Sequence, residues 1–451
     1  MKANHKTIKA TKTAMKKFFI TLTILTICVS MHATDTLKLS LAKAIELALN
    51  ENRSIKIAEK EIARANYAQQ QNYGGLFPSL SGTGQYSRAV KKQVMVIPSF
   101  TVPGEMQVLT IGTDNSLTGG LSASLPLIAP GLWKSIQISK TDVDMAFEKA
   151  RSSKLSMTNE VKKAYFQALL AKDSYVVLQK SMKSAEQNLD NIRNMHLQGM
   201  VAEYDLIRAD VRVRNMTPTL VMARDGVALS LMMVKVLLSL PENVEVELSD
   251  NLEAFENAVI ADEIPVAANL DRNTDLLQLE LTSRKMKQQQ QLVYTQSMPT
   301  LAAFGNYQFM GQGNDGAKMN FAYPLAVGFQ LNVPIFSGLS KYRQGQQIKV
   351  GMEQLDIQKE YFRDNLNVQA RNTINQMVRA KEQIASNKES VRLAEKGVEI
   401  SQTRYKTGAG TLLEMDDSDL ALVQARMNYY QSISDYLTAK AALQALLGKE
   451  E

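Results

Sequence analysis

The chain has 451 residues, 45% hydrophobic and 22% charged, with a formal net charge of +7 and a single cysteine. Six lysines and no acid fall in residues 1–17 (Lys2, Lys6, Lys9, Lys12, Lys16, Lys17), so seven minus six leaves the remainder near neutral. The charge therefore gives no argument for nucleic acid. With Cys28 the only thiol, an internal disulfide and a cysteine metal site are excluded.

After the lysines come an apolar run from Phe18 to Val29 and then Ser30, His32 and Ala33, which reads as a secretory signal peptide over residues 1–33. Cys28 is assigned to that discarded segment and not to a lipid anchor, because Ile27 stands where lipoprotein processing needs a small residue. The longest later apolar run, Leu229 to Leu240, is interrupted by Lys235 and is well short of the roughly 20 residues of a membrane helix. The chain is expected to be periplasmic, secreted, or inserted in a membrane as β-strands.

Residues 34–240 are expected to hold a helix, a strand pair at about 79–127, and a long helical hairpin. Leu80, Gly82, Gly84 and Tyr86 alternate with small polar residues, as do Leu117, Leu121, Ala123 and Leu125; this is the period of two of a strand. From Lys134 to about Gln198 the pattern changes. Ala168, Tyr175, Met182, Leu189 and His196 recur every seven residues, a seam for coiled-coil packing along about 65 residues, or about 100 Å. Gly199 ends that helix, a return helix covers 203–238, and Pro218 inside it is expected to remove a backbone hydrogen bond and bend that helix alone.

Residues 241–265, rich in Glu and Asn, form an inter-repeat segment, and residues 266–449 repeat the whole order. Strands at about 299–335 include Leu325, Val327, Phe329, Leu331 and Val333 in alternation. A heptad helix from Lys341 to about Thr407 carries Met377, Ile384, Val391, Val398 and Tyr405, and Gly408 is its tip. Thr411 and Glu414 then form a capping box for a helix over 412–447. Placing Gly199 on Gly408, an offset of 408 − 199 = 209, also aligns Lys172 with Lys381, Asp210 with Asp419 and Leu237-Leu238 with Leu446-Leu447, as duplication of one unit would.

Four strands of about ten residues, apolar on one face and small or polar on the other, fit a transmembrane barrel wall. A soluble sheet packed on the helices fits the alternation alone equally well; the leader favours the membrane. Four strands cannot enclose a lumen, and open edges cannot face lipid, so several chains must share one barrel. Pro78 and Pro299 on one side, and Gly131 (after Pro130) and Gly338 on the other, bracket the strands as barrel-helix junctions.

The order of leader, helix, strand pair and long hairpin, repeated once, resembles the TolC family of outer-membrane efflux and secretion channels. The tips Gly199-Met-Val-Ala-Glu-Tyr-Asp205 and Tyr405-Lys-Thr-Gly-Ala-Gly-Thr-Leu-Leu-Glu414-Met-Asp-Asp417 are similar to the family's periplasmic tips. The resemblance implies an α+β membrane protein. A homotrimer would share a 12-stranded β-barrel in outer-membrane lipid, continued by an α-helical coiled-coil barrel in the periplasm and closed at its far end like an iris. Residues 241–265 and the C-terminus would form an equatorial belt. The function implied is that of a passive, gated exit duct in a tripartite efflux pump, opened by a periplasmic adaptor (membrane fusion protein) and driven by an inner-membrane pump. A type I protein secretion duct, or a periplasmic coiled-coil scaffold or adaptor, are the other readings.

By the same resemblance Asp205 and Tyr405 fall where the family has a hydrogen bond holding the gate shut, while the family's gate arginine falls on Gly410. Glu414 and Asp417 match an acidic pair ringing the constriction. Each has a competing structural reading: a cap for Glu414, favourable first-turn charge for Asp416, Asp417 and Asp419, and seam packing for Tyr405. No catalytic constellation, cofactor or metal site is expected. Gly311-Gln-Gly313-Asn-Asp-Gly316 reads as a surface turn between strands, His196 as tip or seam packing, and the scattered methionines as coiled-coil filling.

Overall fold

The computed structural model describes residues 37–101, 103–316 and 318–449; the leader and Cys28 lie outside them. In chain order the elements are β1 (Leu37–Leu39), α1 (Leu41–Glu51), α2 (Arg53–Gly74), β2 (Ser79–Arg88), β3 (Gln93–Pro98), β4 (Met106–Ile111), β5 (Asn115–Ile128), α3 (Pro130–Leu197) and α4 (Glu203–Leu237). They continue with β6 (Val246–Leu248), a 3-10 turn (Leu252–Phe255), α5 (Glu256–Ala261), α6 (Thr274–Thr295), β7 (Thr300–Asp315), β8 (Lys318–Ala322), β9 (Leu325–Asn332), α7 (Ser340–Lys406) and α8 (Leu412–Leu446). The chain divides into two compact units.

The unit made of Leu49–Glu160, Ala261–Gln383 and Asp435–Glu451 contains the strands β2 to β5 and β7 to β9. Its helices α2 and α6 start alike: the side chain of Asn52 accepts a hydrogen bond from Ser54 N, and that of Asn273 accepts from Asp275 N and Leu276 N. Both satisfy otherwise orphaned helix donors. Pro78 and Pro299 stand immediately before β2 and β7, where a residue without a backbone N–H costs no ladder bond.

The main sheet runs β2-β5-β7, all antiparallel, and β7 pairs on its far side with both β8 and β9. β8 and β9 are two pieces of one fourth strand, interrupted at Tyr323-Pro324, where Gln308 N still donates to Pro324 O at 2.9 Å. The register decides which side chains share a face, because side chains alternate strictly along a strand. Leu121 pairs with Tyr307 and Tyr307 with Leu325; Leu80 pairs with Ala123, then Gly305, then Val327. Ser81, Ser122, Asn306 and Ala326 pair across the other face. One face is therefore apolar and the other mainly small or polar across all four strands. Glycines let rings cross the pleat: a Cβ on Gly119 would lie 2.4 Å from the Phe309 ring, and one on Gly328 would lie 3.1 Å from that of Phe304.

Two details depart from the sequence reading. The first strand pair encloses an extra hairpin, β3 with β4, so matching elements before it are separated by 300 − 79 = 221 residues instead of 209. Those 221 − 209 = 12 additional residues belong to the first half alone. Gly131 stands at the junction as expected, since β5 ends at Ile128 and Pro130 opens α3, as its fixed φ favours, but it lies in the first helical turn with no positive φ. Gly338, at φ 63°, does turn the chain before α7. Finally, Gly311 and Gly313 lie inside β7, and Gly311 sits beneath Phe321.

The second unit takes the chain up to Ala48 together with Val161–Ile260 and Ile384–Ser434. β1 pairs in parallel with β6, and Tyr165 is fully buried there, its hydroxyl donating to Asp250 Oδ2 at 2.6 Å and lying 3.0 Å from Leu39 O. Lys172 Nζ donates to Leu248 O and Asp250 O, fastening the inter-repeat segment to α3. The heptad seam is buried where expected at Ala168, Met182 and Leu189, and α4 runs through Pro218 as one helix.

Candidate functional site

Within this second unit the two hairpin turns are near copies. Gly199 (φ 73°) and Gly408 (φ 75°) take the left-handed conformation; Met200 N donates to Met195 O, and Ala409 N to Arg404 O. These are the six-to-one bonds of a Schellman cap, which a residue with a Cβ adopts at a cost of about 1 kcal/mol or more. Substituting alanine at Gly408 is expected to lower thermal stability of the tip by about that amount, read as faster backbone hydrogen exchange around 404–412. Unchanged exchange would mean that the turn does not depend on the glycine.

The turn at Gly199 is steadied by His196, whose Nδ1 lies 3.2 Å from Val201 O, and the turn at Gly408 by Arg404, which donates to Ala409 O at 3.0 Å. Behind them Leu189, Ile192, Ala209, Leu412 and Met415 form a buried cluster, with Val201, Leu206, Val213 and Tyr405 packed against it. α3, α4, the last turn of α7 and the start of α8 are thus held together by apolar burial.

The expected hydrogen bond between Asp205 and Tyr405 is not made. The Tyr405 hydroxyl is buried and has no hydrogen-bond partner among the described residues. Burial, and secondarily the Asp205 charge, push that phenol above its ordinary pKa, so it stays protonated. The packing role of Tyr405 is the one observed. Removing the hydroxyl (Tyr405→Phe) is expected to leave closed-state conductance unchanged and to cost no stability, since a buried unpaired group is itself unfavourable by about 1–3 kcal/mol. Raised leak in that variant would mean that the hydroxyl finds a partner outside its own chain.

Gly410, where the resemblance places an arginine, is occupied by the edge of another one. A Cβ there would lie 3.0 Å from Arg404 Cβ and 3.2 Å from Glu414 Oε2, and Arg404 Nη1 stands 3.5 Å from that same carboxylate oxygen. Arg404 brings a cation to the tip from the end of α7. Glu414 also keeps its place in the cap, its backbone N donating to Thr411 Oγ1 at 3.2 Å. Glu414 and Asp417 are both exposed.

The most enclosed ion-pair cluster of the tip was not visible from the motifs. Arg212 of α4 lies between Asp416 and Asp419 of α8, ion-paired to Asp416 and 3.2 Å from Asp419 Oδ2, with Arg208 Nε 3.6 Å from Asp416. The three side chains of this cluster are nearly enclosed: Arg212 is 18% exposed, Asp416 15% and Asp419 9%. Burial lowers the Arg212 pKa and raises that of Asp419, in each case outweighing the opposite pull of the partner. Asp416 and Asp419 are therefore interhelix ligands of an arginine, beyond the helix-start charge read from sequence. The alignment of Asp210 with Asp419 was the available signal, but nothing in it pointed to Arg212. A cavity of about 480 Å³ opens beside the cluster, lined also by Arg208, Asp417, Met216 and Leu420.

Taken together, a sheet with one apolar face and two free edges, and paired helical hairpins with capped tips, define an outer-membrane channel type of chain. The profile of the outer membrane efflux protein family matches residues 44–237 and 267–449, and the chain belongs to that family. It is a family of channel proteins, not of enzymes, and its members sit in the outer membrane. The chain is 21% identical over 417 residues to Nodulation protein T of Rhizobium leguminosarum bv. trifolii, covering 90% of this chain and 85% of that one. It is 20% identical over 339 residues to outer membrane protein TolC of Vibrio cholerae, covering 74% and 76%. In fold it is similar to the CmeC outer membrane channel of Campylobacter jejuni, with a TM-score of 0.72 at 18% identity over 90% of this chain and 85% of that one.

Proposed function

We propose that three copies of the chain form one 12-stranded barrel continued by a helical conduit in the periplasm, and that this assembly is the passive exit duct of a tripartite efflux pump. The observation that carries the reading is the sheet register. Apolar side chains line one face across four strands, Val327 and Phe329 remain 78% and 74% exposed, and β2 and β9 are left as free edges. Lipid accepts such a face but not such edges, so neighbouring chains must close them. The near-identical hairpins, α3 with α4 and α7 with α8, supply four helical segments per chain to the conduit.

Opening is an equilibrium between two packings of the tips, biased by an adaptor that binds one of them better. Energy comes from an inner-membrane pump. Tyr405 by its apolar packing, Arg404 and the Arg212 cluster hold the closed packing, with Arg404 beside Gly410 taking the place of the arginine the family carries there. Deleting the gene is expected to raise accumulation of a fluorescent efflux dye in intact cells, and re-expression to restore export; unchanged accumulation would contradict the pump role.

Three copies of Glu414 and Asp417 place six carboxylates around the narrow end, which would attract and retain divalent cations. Glu414→Gln combined with Asp417→Asn is expected to weaken divalent block of the channel in planar bilayers several-fold. Block at the wild-type concentration would show that these carboxylates serve only the helix start and Arg404.

A further inference from the structure

The hairpin of β3 and β4 is found in the first half only, and it emerges at the end of the sheet remote from the long helices, between Arg88 of β2 and Asn115 of β5. Its base is fixed: Lys92 pairs with Asp114 at 3.1 Å and donates to Asn314 Oδ1 at 3.0 Å, while Asp114 N donates to the same oxygen at 3.2 Å. Beyond that base the ribbon has an unusual pattern. The register places Val94, Val96 and Val108 on one face and Met95, Leu109 and Ile111 on the other, all 40–62% exposed. The main sheet has one apolar face; this ribbon has two.

Neither water nor lipid suits it. Water leaves both faces exposed, and hydrocarbon leaves the outer backbone edges of a two-stranded ribbon unsatisfied. A cyclic assembly does suit it. A rotationally closed ring is built from head-to-tail contacts in which one surface of each subunit meets a different surface of the next, so each subunit needs two complementary patches. The ribbon follows directly from β2, a free edge of the sheet, and so stands beside the boundary with the next chain.

We infer that the β3-β4 hairpins of three chains pack face to back around the axis, Val96 and Val108 of one against Met95 and Leu109 of the next, forming an apolar collar over the outer mouth of the barrel. This rests on the threefold assembly proposed above. Its occupant is a second copy of this same ribbon, and the insertion of 221 − 209 = 12 residues in one half only is what limits the collar to three members.

Cys28 is the only cysteine in the sequence, so introduced thiols report cleanly. Val96→Cys with Leu109→Cys, treated in outer-membrane vesicles with a short bis-maleimide, is expected to shift the denatured band from one chain to three, while either single variant stays at one chain. Val108→Cys with Met95→Cys is the second pair and carries the same expectation. Crosslinked dimers from a single variant would overturn the face-to-back ring, since like faces would then be meeting. No crosslink in either pair, with the heat-modifiable trimer intact, would overturn the collar while leaving the channel reading standing. Loss of the trimer in the unmodified protein would instead overturn the threefold assembly.

Discussion

Arg212→Ala is expected to loosen the tip more than any other single substitution there. Removing the guanidinium leaves Asp416 and Asp419 enclosed without their cation, and breaking a buried pair from one side costs about 3–5 kcal/mol. The remaining exposure of Arg212 and the nearby Arg208 argue for the lower end, about 3 kcal/mol, which shifts a two-packing equilibrium about a hundredfold. Closed-channel leak in planar bilayers, and sensitivity of intact cells to large hydrophilic antibiotics, are expected to rise together. Removing the Arg212 cation together with its two carboxylate partners (Arg212→Leu, Asp416→Asn, Asp419→Leu) is expected to restore much of the closed state, because a buried ion pair is worth little against an apolar replacement. Leak that is equal in the single and triple variants would refute the pairing account.

Acid is not expected to release this latch through Asp419. Its carboxyl titrates above the ordinary range because burial outweighs the arginine. A raised folded-state pKa contributes stability that is complete below the unfolded value and is lost as pH rises through the folded one. Lowering the pH across that window therefore adds stability at this position.

Gly120→Val is expected to abolish assembly in the outer membrane. A Cβ at Gly120 would lie 2.4 Å from Tyr307 O and 3.1 Å from Gln308 Cα, both backbone, so β5 and β7 must separate at the middle of the sheet. Lost pairing in a membrane strand has no water to replace it, at several kcal/mol for each orphaned group. Gly119 gives the contrast. Its nearest neighbour is the Phe309 ring at 2.4 Å, with Thr83 O at 2.9 Å, so Gly119→Ala is expected to be rescued in part by Phe309→Ala, whereas no side-chain change rescues position 120. Heat-modifiable trimer bands from outer-membrane fractions measure both. Normal trimer from Gly120→Val would show that the strands do not approach as closely as described.

Regular patterns were legible in the sequence and their interruptions were not. Both long helices were bounded to within four residues, because heptads between glycine turns leave little choice. The strands were legible from alternation, but β3 and β4 were not, since Val94 to Ile97 and Val108-Leu109 are apolar at successive positions and alternate with nothing. β1 is too short, at three residues, for any period to show. At the tip, glycine and capping chemistry are local and were readable. The bridges from Arg212 to Asp419 and from Arg404 to Glu414 depend on which helices become neighbours, and a spacing of 419 − 212 = 207 residues encodes no such signal. Gly410 shows the same limit in reverse: the absent arginine was evident, and the cation brought in from Arg404 was not.

Native mass spectrometry of the protein extracted in detergent from the outer-membrane fraction tests the central claim most directly. An assembly of three chains is expected; a single chain in that fraction, or a chain found only in the soluble periplasm, would contradict the shared barrel.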